Sequence, residues 1–352
     1  MYSESELSAA VAAGVIPESA AQALREHVAQ LRALPQADEE HFRLINSFND
    51  IFVSIAAVIL LVAMAWIGDA VHHAVAGLFV AISAWGLAEF FTRQRRMALP
   101  SILLLLAFVG GVVATGIGFV DTEMRWLVDS NNQMSAIIGA AIAASGAIAA
   151  WFHWRRFMVP ITVAAGAAGV AATVIALIAA ATWDDMPDKN ILLALLLTAG
   201  LCIFAFAMFW DRSDTARQTR RSDVAFWLHL LAAPMIAHPL FALLGVTDGD
   251  SITAVAAIGV VALYVVFGVV ALAIDRRALL VSALAYVLFA MTQLFREFGA
   301  VELNTALTAL VIGGSLLLLS AFWQSARRVV LSILPGSLGA YVPAPVYAGH
   351  SG

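Results

Sequence analysis

Arg220-Arg221-Ser222-Asp223-Val224-Ala225-Phe226-Trp227-Leu228-His229-Leu230-Leu231-Ala232-Ala233-Pro234-Met235-Ile236-Ala237-His238-Pro239-Leu240-Phe241 is the stretch whose reading decides the fold. A basic pair and an acid stand at the mouth of an apolar segment. That segment is about as long as a membrane-crossing helix must be, roughly 20 residues. It keeps two histidines and two prolines. Ionisable groups at membrane depth are costly, so a span that holds several is the default place to look for function. The prolines free backbone carbonyls, which in lipid must find partners on neighbouring helices or water.

The rest of the chain repeats the apolar part of this pattern. Of 352 residues, 62% are hydrophobic and 12% charged, with a mean hydropathy of +0.90. A soluble domain is about half apolar and about a quarter charged. Runs long enough to span predict ten helices, over 51–67, 71–91, 99–120, 134–154, 158–182, 191–210, 224–245, 252–274, 278–295 and 305–323. The expected fold class is an all-α polytopic transmembrane helix bundle of about ten spans, with a short N-terminal helical hairpin. Three regions follow: 1–47, a cytoplasmic helical hairpin; 48–326, the bundle; and 327–352, an interfacial helix and a disordered tail.

In the hairpin, Gly14-Val15-Ile16-Pro17 stops a helix beginning near Glu6 and starts a second over 18–34. Leu24, Val28 and Leu31 form its apolar stripe. Two short helices are too small to hold a core alone. The hairpin is therefore expected to dock on the bundle or on a protein partner. Residues 1–36 lack a basic start followed by an apolar core, so no signal peptide is expected. At the other end, Arg327-Arg328 precede an apolar run too short to span, which predicts an interfacial helix ending at Pro335.

Arginines set the orientation. With a cytoplasmic N-terminus and ten crossings, sixteen of the 19 basic residues fall inside. Only Arg125, Lys189 and Arg296 fall outside, which is the asymmetry expected of short loops. Both termini are then cytoplasmic. At the inner turns aromatic residues, a basic pair and the next helix recur. Two readings stay open, a degenerate repeat of helix hairpins or ordinary interfacial aromatics and arginines. Gly110, Gly111, Ala114, Gly116 and Gly118 in the third span, Gly139, Ala143 and Gly146 in the fourth, and Gly166 and Gly169 in the fifth signal close helix packing.

At about 100° per residue, Asp223, Trp227, Pro234 and His238 share one side of the seventh span, with His229 opposite His238. The face with His238 is expected to point inward, with a bend at Pro234. The candidate ligand or ion pathway is Asp223, Trp227, His229, His238 and, on the ninth span, Gln293 as first partner for His238. Tyr286 and Glu297 share the face of Gln293. The competing reading is that Asp223 caps its helix and the histidines bond neighbouring carbonyls. Glu89 stands four residues before Arg93, the spacing of a local ion pair. The adjacent His72 and His73 point to different sides, so no metal site is expected there. Cys202 is the single cysteine, expected as a small buried apolar residue. No phosphate loop, nucleophile elbow or His-Glu-x-x-His is present, so no catalytic residues are assigned. The cofactor is unknown, and no basic domain points to nucleic acid. A transporter, channel or permease-like protein is the first reading. A structural or regulatory membrane protein acting through a partner is the alternative. They divide on whether the seventh and ninth spans share a water-accessible cavity.

Asn49-Asp50-Ile51-Phe52-Val53, Ser222-Asp223-Val224-Ala225-Phe226-Trp227-Leu228-His229-Leu230-Leu231-Ala232-Ala233-Pro234 and Asp275-Arg276-Arg277-Ala278-Leu279-Leu280-Val281-Ser282 resemble recurring stretches of a group of bacterial multi-pass membrane proteins, classed as a domain of unknown function. The turn at Gly14-Val15-Ile16 is similar to that group's N-terminal segment. The resemblance implies a bacterial inner-membrane location. It implies no activity, ligand or site residue.

Overall fold

The computed structural model describes residues 4–24, 48–182, 188–215, 217, 219–246, 253–297, 304–333 and 342. The second hairpin helix beyond residue 24, the linker 35–47 and the tail 334–352, apart from residue 342, lie outside the described residues.

Two compact units form, 1–42 with 345–352, and 43–344. In the first, α1 (Glu4–Ala12) ends where Gly14 takes the left-handed conformation, at a φ of 70°. A second helix, α2, is described over 18–24. The backbone N–H groups of Ala20 and Ala21 donate to the carbonyl of Pro17, which opens it.

The larger unit contains α3 (Phe48–Asp69), α4 (His73–Ala88), α5 (Ala98–Phe119), the short α6 (Arg125–Ser130), α7 (Asn132–Phe157), α8 (Ile161–Thr182), α9 (Lys189–Arg212), α10 (Arg220–Leu243), α11 (Ala254–Ile274), α12 (Ala278–Glu297), α13 (Asn304–Ala321) and α14 (Trp323–Ile333). A π-helical turn, Glu89–Gln94, prolongs α4, and another, Val120–Met124, joins α5 to α6. No strand occurs among the described residues. The ten expected spans coincide with α3 to α5 and α7 to α13. Eight of these helices are individually long and apolar enough to cross a membrane. α13 and α14 together make a ninth candidate, bent by 79°, and α12 is apolar over the shorter stretch Ala278–Thr292. The segment after the third span, expected as a loop, is largely helical.

Burial singles out α10. In its apolar window 56% of residues are buried, against 17% to 33% in the other seven candidate spans. Its Val224, Leu228, Ala232, Ala233, Ala237 and Phe241 sit in one large cluster with residues of α8, α9, α11, α12 and α13. α10 runs unbroken through Pro234 and Pro239. Cys202, expected inside, is exposed on α9. In a bilayer an outward apolar side chain meets lipid, so nothing drives it to the interior.

Backbone approaches join the earlier helices. A Cβ added to Gly77 of α4 would lie 2.3 Å from the Thr115 nitrogen of α5, and one on Gly111 would lie 2.7 Å from the Ala81 nitrogen. Gly169 stands in the same relation to Ala147, at 2.9 Å, between α8 and α7. Of the expected packing glycines, Gly110 and Gly139 instead face open space.

The turns at the arginine-rich end share one feature. Arg96, Met158, Arg217 and Asp275, with φ between 52° and 58°, are the non-glycine residues of positive φ among those described. Each lies in one of the four arginine-rich turns, between α4 and α5, α7 and α8, α9 and α10, and α11 and α12. Left-handed backbone disfavours a side chain, and here carbonyl capping holds it. The N–H groups of Met158 and Asp275 donate to Trp154 and Ala271.

Candidate functional site

The arginine-rich end of α10, its inner end in the topology expected from sequence, lies inside a network of buried charges. Arg276, in the turn before α12, reaches Asp211 in the last turn of α9. Its Nη2 donates to Asp211 Oδ1 at 2.6 Å and its Nε to Oδ2 at 3.3 Å. The planar guanidinium matches a carboxylate fork to fork, the strong form of such a pair. The same Nη2 donates to the Ser222 carbonyl at 3.1 Å, which ties α10 in. His229 brings Nε2 to 2.9 Å from Asp211 Oδ2 and its ring against Phe204, centroids 5.1 Å apart. Asp211, His229 and Arg276 are 3%, 2% and 4% exposed. His229 Nδ1 is buried and meets no partner among the described residues.

A second carboxylate extends the network. Asp275 Oδ2 accepts from Arg217 Nη1 at 2.9 Å, and Oδ1 accepts from the Trp323 indole N–H at 2.7 Å. Arg217 Nη2 also donates to the Asp275 carbonyl at 3.0 Å. Arg327 of α14, fully buried, places Nε 3.8 Å from Asp275 Oδ1 and donates to the Leu272 carbonyl at 3.2 Å. Asp214 accepts from the backbone N–H and hydroxyl of Thr219, at 2.8 and 2.6 Å, and so shapes the turn before α10. Asp211 and Asp275 thus join the inner ends of α9, α10, α11, α12 and α14. Each charge finds an opposite charge or a polar partner, the condition under which buried ions are tolerated.

The outer half of α10 carries a separate pair. His238 Nδ1 lies 2.7 Å from the Tyr286 hydroxyl of α12. Phe241 stacks on the Tyr286 ring, centroids 4.6 Å apart and planes 14° apart. His238 does meet a polar group of the ninth span, and that group is Tyr286. The side chain of Gln293 lies outside the described residues.

The facing of α10 differs from the expectation. Val224, Ala225, Leu228, His229, Ala232, Ala233 and Ile236 are buried and Pro234 is exposed. The side that carries His229 is the inward one, because it holds the larger run of small and apolar residues for neighbours to close upon. Asp223 and His238 are half-buried. Trp227 packs against Leu105, Val159 and Ile161, toward the turn between α7 and α8. Thr219 caps α10, its Oγ1 accepting from the Arg221 N–H at 3.3 Å. Asp223 stands in the field of Arg276 and Arg220. The candidate pathway residues are therefore not one cluster. His229 belongs to the inner network, His238 to the outer pair, and about 13.5 Å of helix rise separates them.

Several network residues were not singled out from sequence. Asp211 had only a weak signal, an acid in the last turn of an apolar span, and Arg327 was read only as part of the basic pair before the tail. His153, fully buried on α7, was also missed. It lies among Trp85, Phe108 and Phe157, with Nδ1 3.3 Å from the Thr162 hydroxyl. Glu89 pairs chiefly with Arg156 of α7, at 2.7 and 2.9 Å, and reaches Arg93 at 3.4 Å. On the opposite side, His72 caps α4 by accepting from the Ala74 N–H and approaches Thr122 Oγ1 at 3.0 Å. His73 pairs separately with Asp69.

Apolar spans, a central helix and a paired ionic interior define an integral, multi-pass, all-helical membrane protein. No protein-family model, curated protein or solved structure matches the chain.

Proposed function

We propose that this is a bacterial inner-membrane protein of structural or regulatory type, acting through a protein partner that docks on its N-terminal hairpin. The carrying observation is that the buried charges around α10 are bound to one another, while its inward face is filled by Ala232, Ala233, Ala237 and Phe241, all at 0% exposure. A carrier or channel needs polar groups that line a space open to water. These groups instead fix the inner ends of several helices, leaving a rigid platform. The arginine asymmetry supports a cytoplasmic location for that platform and for both termini.

The test is complementation of a deletion strain combined with ion and metabolite uptake profiling. The full chain should restore the phenotype. A chain lacking 1–47 should fail to restore it at an unchanged protein level, and uptake should match between deletion and parent strains. Reporter fusions within 121–132 and 184–190 should read outside, and one near Arg217 inside. Transport is the second reading, favoured by the half-buried His238–Tyr286 pair beside two prolines. Loss of uptake of one solute in the deletion strain, reproduced by His238→Ala and Asp223→Asn at normal protein levels, would replace the first reading with it.

A further inference from the structure

The turn from α4 to α5 and the turn from α7 to α8 carry five arginines, Arg93, Arg95, Arg96, Arg155 and Arg156, and one carboxylate, Glu89. Glu89 gives both oxygens to Arg156, whose Nε and Nη2 donate at 2.7 and 2.9 Å, and that fork sets the two turns side by side. Arg93 reaches the same carboxylate at 3.4 Å. Arg95, Arg96 and Arg155 are exposed and meet no carboxylate among the described residues. We propose that the two joined turns form a docking surface for anionic phospholipid headgroups, held by Arg95, Arg96 and Arg155.

The depth at which these charges are held selects the occupant. Arg155 lies over the exposed ring of Trp151, four residues earlier, at 5.4 Å, the ordinary reach of one α-helical turn. Arg95 lies over the exposed ring of Phe90, five residues earlier, also at 5.4 Å. The π-helical turn allows this, since it puts residues five apart in line, and the Arg95 N–H donates to the Phe90 carbonyl. Phe90 and Trp151 stand near the ends of the candidate spans His73–Gln94 and Asn132–Phe157. Both guanidiniums are thereby turned back to the level of the last helical turn instead of reaching into water. That is the level of lipid phosphates, and clusters of basic residues at span ends attract anionic lipid. Stacking uses the face of a guanidinium and leaves its N–H edge for an anion, which a phosphate suits. Arg96 adds a separate observation. Its φ of 53° is one that glycine takes without steric cost, yet an arginine stands there with its side chain exposed. A soluble acidic protein would have to reach past the headgroups to meet charges folded against these rings. The inference does not depend on the structural reading above.

Native mass spectrometry of the full-length, delipidated protein in detergent tests it, with phosphatidylglycerol or phosphatidylcholine of equal chain length added. Phosphatidylglycerol should be retained in preference. Arg95→Gln and Arg155→Gln should each weaken its retention about fivefold, the equivalent of about 1 kcal/mol per basic residue at a membrane surface. Arg96→Gly should weaken it by a similar factor while the melting temperature stays level or rises, because glycine suits the left-handed backbone. A lower melting temperature would make that side chain part of the turn and overturn its place in the surface. Arg221→Gln removes an exposed arginine at the same end of the molecule, outside both turns, and should change nothing. Equal retention of both lipids would overturn the proposal. So would a loss in Arg221→Gln equal to those in Arg95→Gln and Arg155→Gln, which marks a diffuse basic field. Displacement of phosphatidylglycerol by inorganic phosphate would identify a free-anion site, and displacement by polyglutamate a docking site for an acidic protein. Either result also overturns the lipid assignment.

Discussion

Between α4 and α5, Gly77 and Gly111 bring two backbones together, and between α9 and the start of α12 a buried carboxylate and guanidinium do the joining. The earlier helices rely on the absence of side chains, the later ones on paired charge. Gly200 of α9 also packs closely on Met235 of α10, so the later half uses both. Lipid supplies no hydrophobic drive between helices, and close packing and polar pairing are the two substitutes. They fail differently. A glycine contact is lost by steric excess, whereas an ion pair is lost by leaving its partner charged and buried.

The largest expected effect is therefore at Asp211. Asp211→Asn leaves Arg276 buried without its counter-charge, and His229 loses the same carboxylate. Breaking a buried pair in this way costs about 3–5 kcal/mol. Thermal unfolding of the purified protein in detergent should show it, together with reduced protein in membranes. The double variant Asp211→Asn/Arg276→Gln should recover part of the loss, because no unpaired charge remains. A double variant less stable than either single one would refute the ionic account.

The glycine joints should cost less. At Gly77→Ala the new Cβ would lie 2.3 Å from the Thr115 nitrogen and 2.6 Å from the Gly111 carbonyl oxygen, both backbone atoms that cannot rotate away. The helices must part, and overpacking of this kind costs about 1–3 kcal/mol. Gly110→Ala is the control, since its Cβ would meet nothing within 4 Å. Equal melting temperatures for the two variants would show that the close approach does not matter to stability.

These two kinds of joint differ in how much of them the sequence reveals. Small residues at helical spacing are visible without a fold, and Gly111, Gly118 and Gly169 do stand at close contacts. Spacing does not say which glycine of a run faces the neighbour, so Gly110 and Gly139 looked equivalent to them. The helices expected as spans were legible, eight of them long and apolar enough to cross by themselves, because length and apolarity are local properties. The ionic network was not, since Asp211 and Arg276 are 65 residues apart and their pairing depends on which helix ends meet. The facing of α10 was missed for a related reason. Four notable residues on one side outweighed, on paper, the alanines and leucines that neighbours close upon.

Tyr286→Phe probes the polar pair that lies away from the inner end. It removes the hydroxyl 2.7 Å from His238 and keeps the ring that stacks on Phe241. Single hydrogen bonds between membrane helices average about 0.6 kcal/mol, because the unfolded helices also find partners. A small drop in melting temperature is expected. A loss as large as that of Asp211→Asn would mean that the outer pair, too, holds the bundle together.

The smallest effect should come from the same chemistry placed outside. Glu89 and Arg156 make a fork as short as that of Asp211 and Arg276, at 2.7 and 2.9 Å. Their side chains, however, are 31% and 41% exposed, against 4% for both members of the inner pair. Water screens the exposed pair and solvates either partner when the other is removed, so such bridges add little. Glu89→Gln should leave the melting temperature within measurement error, and raising the salt concentration should not separate it from the parent protein. Geometry alone would make the two pairs equivalent. If Glu89→Gln destabilised as strongly as Asp211→Asn, burial could not be what distinguishes the two halves, and the contrast between glycine contact and buried charge would have to be withdrawn.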